Sequence, residues 1–246
     1  MAPGRDPAAV TGTLAVADLG RRRPYGPVWA LQRALVERRL AGRVDDLFLL
    51  VEHEPVYTLG RHGKADNVIW DERRRRREGI ELYRIDRGGD VTYHGPGQVV
   101  GYPILDLRPL GLGVRAYVER LEAGLIAACA DFGVKAEVFD GLPGVWVGDA
   151  KIAAIGIRCR GGVTSHGFAL NVSTDLSHFG GIVPCGLAGR GVTSLERELG
   201  RSPDWDEVIR VVARRVAEAL GFPGVRWVPA DEVTAAAGSA PEQVAQ

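Results

Sequence analysis

Lys151-Ile152-Ala153-Ala154-Ile155-Gly156 is a short apolar run headed by a lysine. An uninterrupted run of this length reads as a strand covered on both faces rather than as half of an amphipathic sheet. Lys151 is one of three lysines, with Lys64 and Lys135, in a chain holding 31 lysines and arginines. A lysine entering such a strand loses hydration, and desolvation lowers an amine's pKa from about 10.4 towards neutrality. There it can accept and return a proton, which arginine cannot.

On either side of this run the hydrophobic pattern predicts strands over residues 13–19, 47–51, 55–59, 80–85 and 99–107. Further strands are predicted over 134–138, 145–147, 168–172 and 225–228. Pro103 inside the fifth of these marks an edge, a bulge or a strand end. Helical spacing covers 25–40, the stretch from Val114 to just before Gly133, and 204–220, and Asp66 is expected to cap a helix running through Trp70 into Arg73–Arg77. Strands grouped between separated helices favour an α+β class over a doubly wound sheet. No linker or repeat divides the chain, so one catalytic unit over residues 13–228 is expected, flanked by disordered ends at 1–12 and 229–246, the latter rich in Ala, Gly, Ser, Glu and Gln.

The 246 residues carry 31 basic and 31 acidic side chains, so no global field calls for nucleic acid or an anionic membrane as partner. The start lacks an apolar signal core and no apolar run could span a bilayer, which reads as cytoplasmic. The three cysteines form no CxxC pair, and neither HExxH nor a His/Cys ligand spacing is present, so neither a disulfide framework nor metal catalysis is indicated. Cys129 falls on an apolar helical stretch and Cys159 at a strand end, both structural settings.

Cys185 is different. It lies in Ile182-Val183-Pro184-Cys185-Gly186, a glycine- and proline-rich loop. An amine that takes the thiol's proton would give a thiolate–ammonium pair, an activated nucleophile. Lys151 is the candidate amine, with His94 and His166 as rival bases. His53 and His62 are open between substrate contact and loop structure, and His178 reads as a loop residue. The third rich segment is Arg87-Gly88-Gly89-Asp90-Val91-Thr92-Tyr93-His94-Gly95-Pro96-Gly97-Gln98. It is neither a P-loop nor a dinucleotide fingerprint. It reads as a tight hairpin or, given its Arg, Thr, Tyr and His side chains, as a binding wall approached closely by backbone.

Arg87–Gln98, Lys151–Arg158, Ser165–Val172 and Pro184–Gly186 together resemble the signature of the lipoyl (octanoyl) transferases of lipoate biosynthesis, in that family's order. The resemblance implies the fold of the biotin and lipoate protein ligase catalytic domain, α+β around a mixed sheet. It implies transfer of octanoyl (or lipoyl) from acyl carrier protein to a specific lysine of a lipoyl domain, the first step of endogenous protein lipoylation. Acceptors would be the E2 subunits of 2-oxoacid dehydrogenases and the glycine cleavage H protein. It further implies Cys185 as the acylated nucleophile and Lys151 as acid and base. Substrate contacts would come from Arg87, Gly88, Gly89, Asp90, Val91, Thr92, Tyr93 and His94, from Ala154, Ile155 and Gly156, and from Gly167, Phe168 and Ala169. No cofactor is implied. An ATP-dependent lipoate or biotin protein ligase is the nearest competitor, and a non-catalytic acyl-protein or lipoyl-domain binder the competitor from another class. The run Arg73–Arg77 is either a solvated helix end or a docking patch for an acidic carrier protein.

Overall fold

The computed structural model describes residues 12–183 and 190–238. In chain order, β1 (Leu14–Asp18) leads to α1 (Tyr25–Leu40), β2 (Leu47–Val51), β3 (Val56–Leu59), α2 (Glu72–Arg77), β4 (Glu81–Arg84), β5 (Val91–His94) and β6 (Gln98–Ile104). Then follow α3 (Val114–Asp131), β7 (Glu137–Phe139), β8 (Leu142–Val147), β9 (Ala150–Arg160), β10 (Val163–Asn171) and β11 (Gly191–Val192). The chain continues with α4 (Leu195–Leu199), α5 (Trp205–Leu220), β12 (Val225–Trp227) and α6 (Ala230–Ala237).

The main sheet runs β12-β1-β2-β6-β10-β9-β8-β7, with β11 added beside β9. Its β12–β1, β1–β2 and β11–β9 pairs are parallel and the others antiparallel, so the sheet is mixed, as expected. Side-chain alternation explains its layers. Leu14 and Val16 of β1 and Phe48 and Leu50 of β2 pack on α3 and α5, while Ala15 and Ala17, with Leu47, Leu49 and Val51, pack on α1 and α6. β2 is therefore apolar at every position, and β1 up to its exposed last residue Asp18, because both faces are covered. A smaller sheet, β4-β3-β5, stands against this core.

Several local expectations are corrected. Asp66 lies inside a 3-10 turn (Ala65–Asn67), and it is Asp71 that caps α2, its side chain accepting from Arg74 N at 2.8 Å. Pro103 sits in the central strand β6, one residue from its end, where the ladder to β10 has already stopped at Gly101, so its missing N–H costs no bond there. The strand expected over residues 134–138 forms at Glu137–Phe139. The tail expected to be disordered from residue 229 begins with α6, whose Val233 and Ala237, one turn apart, bury against α1. A composition dominated by Ala and polar residues hid that two small apolar side chains suffice once a neighbouring helix supplies the rest of the surface. Among the described residues no helix is long and apolar enough to cross a membrane.

Candidate active site

A cavity of about 320 Å³, mostly apolar in its lining, opens between the two sheets. One wall is the Arg87–His94 segment and β5, the other β9 and β10, with Tyr25, Gln98, Tyr102 and Asn171 at its polar points. Strand β9 is buried on both faces only at Ile152 and Ala153; from Ala154 to Cys159 it is half-exposed because one face lines or flanks this opening. The covered strand read from the sequence is therefore a cavity wall over most of its length.

The glycines of the wall allow backbone to meet backbone. Gly156 and Gly167 face each other across the β9–β10 ladder. A Cβ on Gly156 would stand 3.0 Å from Arg87 Cδ, and one on Gly167 only 2.1 Å from the Gly101 carbonyl oxygen. The loop before β5 is tied to β9 by Gly88 N donating to Ile157 O at 2.8 Å. Arg87 is buried, donating from Nη2 to Thr58 O (2.6 Å) and Oγ1 (3.0 Å) and from Nη1 to Gly88 O (2.9 Å). Burial pushes its pKa down, and it makes no ion pair among the described residues.

Lys151 borders the cavity. The turn Gly148-Asp149 joins β8 to β9 in a tight hairpin that sets Trp146 directly opposite Lys151, and a bulge follows between Val145 and Trp146. Lys151 Nζ lies 4.6 Å from the centroid of the Trp146 ring and donates to Pro143 O at 3.1 Å. Burial lowers its pKa below the ordinary lysine value, and the Glu122 carboxylate partly offsets that. Glu122 in turn accepts from Gly144 N at 2.9 Å, fixing the loop over the amine. The amine is thus held by a π face and a carbonyl, with no carboxylate in direct contact among the described residues.

The rival bases are occupied. Nδ1–H of His94 donates to Gln98 Oε1 at 2.9 Å, and burial pushes its pKa well below the usual histidine value. His166 donates from Nε2 to Asp86 at 2.8 Å, and burial together with Arg87 and Arg158 lowers its pKa to about 3. His53 donates from Nδ1 to Arg23 O (3.0 Å) and accepts from the Tyr102 hydroxyl (2.8 Å), a structural bridge, with a pKa lowered by burial to about 4. His178 is bonded to the Tyr93 hydroxyl at 2.8 Å.

Of the residues singled out in the sequence, Lys151, Arg87, Gly89 to Thr92, His94, Ala154 to Gly156 and Gly167 to Ala169 all line the cavity. Gly88 and Tyr93 do not; Gly88 ties the two walls, and Tyr93 is buried edge-on against Tyr57 and Phe179. Cys185 lies outside the described residues. Its flanks bear on the cavity: Phe179 and Val192 line it, Val192 pairs with Lys151, and Arg190 lies 5.3 Å from the Trp146 ring centroid. Trp146 and Glu122 were missed. The Gly148-Asp149 turn signal could have found Trp146 by fixing the hairpin register; nothing local marks Glu122.

The chain matches the model of the lipoyl protein ligase A/B catalytic domain over residues 24–217. An octanoyltransferase of Alkaliphilus metalliredigens is 50% identical over 210 residues, covering 85% of this chain and 96% of that one. One of Koribacter versatilis is 49% identical over 195 residues, covering 77% and 78%. Among solved structures, a putative lipoate protein ligase of T. acidophilum with bound lipoic acid superposes with a TM-score of 0.73 at 18% identity, over 92% of both chains. Lipoate-protein ligase A bound with ATP gives 0.72 at 18% identity over 93% of this chain and 92% of that one. The fold is thus that of the ligases, the closer sequence likeness is to transferases, and this chain belongs to the lipoyl protein ligase A/B catalytic-domain family, with the octanoyltransferases, as an acyltransferase.

Proposed function

We propose that this chain moves an octanoyl group from acyl carrier protein to a lysine of a lipoyl domain, through a thioester on Cys185 and with Lys151 as the proton carrier. The observation that carries the reading is a half-buried amine, unpaired with any described carboxylate, at the border of an apolar cavity whose lining includes both flanks of the Cys185 segment. In the first half, the Cys185 thiolate attacks the carrier thioester. The carbon–sulfur bond to the carrier breaks, and the Lys151 ammonium gives its proton to the departing thiolate. One thioester replaces another, so little driving force is needed. In the second half, the target lysine attacks the Cys185 thioester, the Lys151 amine takes the proton it sheds, and the Cys185 thiolate leaves. Amide formation makes this half favourable. The tail would lie against Ile155, Phe168 and Ala169, with the Arg87–His94 wall opposite.

Intact-protein mass spectrometry after mixing the chain with octanoyl-acyl carrier protein, without ATP, tests this. A single octanoyl adduct is expected, absent in Cys185→Ser and chased onto an added lipoyl domain. Acceptor labelling that needs ATP and free octanoate would make the chain a ligase instead.

A further inference from the structure

We infer that α2 and the segment before it form the landing surface for the acyl-bearing carrier protein. This rests on the octanoyl-transfer reading above and adds where the donor docks. Helix α2 is Glu72 followed by five arginines, and none of its residues is buried. Arg76 pairs with Glu72, and Arg77 lies 3.6 Å from Glu78. Arg73, Arg74 and Arg75 make no ion pair among the described residues, although Arg74 stacks 4.1 Å from the Trp70 ring centroid. An exposed helix with this much uncompensated positive charge attracts an acidic partner.

Its anchoring links it to the reaction site. Ile69 N donates to Gly181 O at 2.9 Å, Val183 N donates to Asn67 O at 2.8 Å, and Val68 bridges Ile182. Residues 67–70 are thereby fastened to residues 181–183, which precede Cys185 by two to four positions. The same segment reaches the cavity wall, for Asn67 Nδ2 donates to Asp90. Yet no residue of α2 lines the cavity. A partner seated on α2 must reach inward from beside the opening, which suits a carrier with a long prosthetic arm better than an acceptor offering a lysine side chain.

Two further features favour a protein over a polyanion. Ile69 and Val183, 57% and 49% exposed, add apolar area next to the arginines. Such a mixture of arginine and apolar side chains is the composition of protein interfaces. Asp71, Glu72 and Glu78 flank the basic run at both ends, which disfavours an extended phosphate backbone or an anionic membrane.

The test compares two donors, octanoyl-acyl carrier protein and the small thioester octanoyl-pantetheine, in the native chain and in Arg73→Glu/Arg77→Glu. The expected result is a rise of about tenfold in KM for the carrier donor, with its salt dependence flattened. Turnover of octanoyl-pantetheine and the KM for the lipoyl domain should be unchanged. Ile69→Ser should raise the carrier KM alone, without altering its salt dependence. Equal effects on both donors, no effect on either, or a rise confined to the lipoyl-domain KM would each overturn the inference. A native chain that turns over neither donor would overturn the octanoyl-transfer reading, and the docking inference with it.

Discussion

Removing the ring beneath Lys151 is a direct way to ask whether that amine carries the proton. The Trp146 ring lies 4.6 Å from Nζ in a half-buried setting, a geometry that stabilises the ammonium over the amine by about 0.5–2 kcal/mol. That range corresponds to an ammonium-to-amine ratio about two- to thirtyfold higher than without the ring. In Trp146→Leu the ammonium is lost at lower pH, since burial already lowers the Lys151 pKa and the ring opposes that lowering. The rate of Cys185 acylation by octanoyl-pantetheine, followed against pH, should therefore keep its acid limb and move its alkaline limb to lower pH. Trp146→Phe, which retains an aromatic face, should move it less. Trp146 is fully buried, so urea titrations run alongside should register a destabilisation short of the about 3–5 kcal/mol of a Trp→Ala truncation. An alkaline limb that stays put in folded Trp146→Leu, or moves to higher pH, would refute the assignment of that limb to Lys151.

Other outcomes follow from the same geometry. Lys151→Arg keeps the charge but cannot return a proton, so turnover measured on a lipoyl domain should fall at least about a hundredfold. Gly167→Ala puts a Cβ 2.1 Å from the Gly101 carbonyl oxygen, and forcing β10 away from β6 should cost about 1–3 kcal/mol or more in urea titrations. His53 and His166 are held neutral, with pKa values lowered from 6.5 to about 4 and about 3. Their neutral burial therefore supports folding above pH 6.5 and ceases to do so as pH falls towards those values. Moving from pH 7 to pH 5 should destabilise the chain by roughly 2 kcal/mol per histidine, and His53→Gln should remove about a third of that slope, since His94 is held neutral as well.

How much was legible depended on whether a signal was local. Helix α1 ran over the residues its spacing predicts, because Val28, Leu35 and Val36 meet a sheet face that is apolar wherever they touch it. Residues gathered by the fold itself were harder. Lys151, Ala154 to Gly156 and Gly167 to Ala169 lie on adjacent strands, and their shared cavity was implied by resemblance rather than by spacing. Periodicity also gave β9 two covered faces, since an apolar strand beside a ligand cavity and one beside a helix carry the same residues. Glu122 was invisible because a carboxylate beside the buried stripe of a helix reads alike whether it faces water or reaches Gly144. The stretch 230–237 reads as tail because only Val233 and Ala237 mark it, and their burial against α1 shows only in the fold.

The facing glycines of β9 and β10 have a consequence for how the cavity discriminates. Where Gly156 and Gly167 meet, the wall is main chain, backed by the Arg87 side chain that its own hydrogen bonds hold in place. A wall built that way loses almost no conformational freedom when filled, so on the proposed function an entering acyl chain would meet little beyond the cost of ordering itself. The same wall cannot yield to a longer chain as a methionine or leucine would. On the proposed function, length would be measured against something close to a fixed gauge, and altering it would require remodelling hydrogen-bonded strands rather than exchanging one flexible side chain for another.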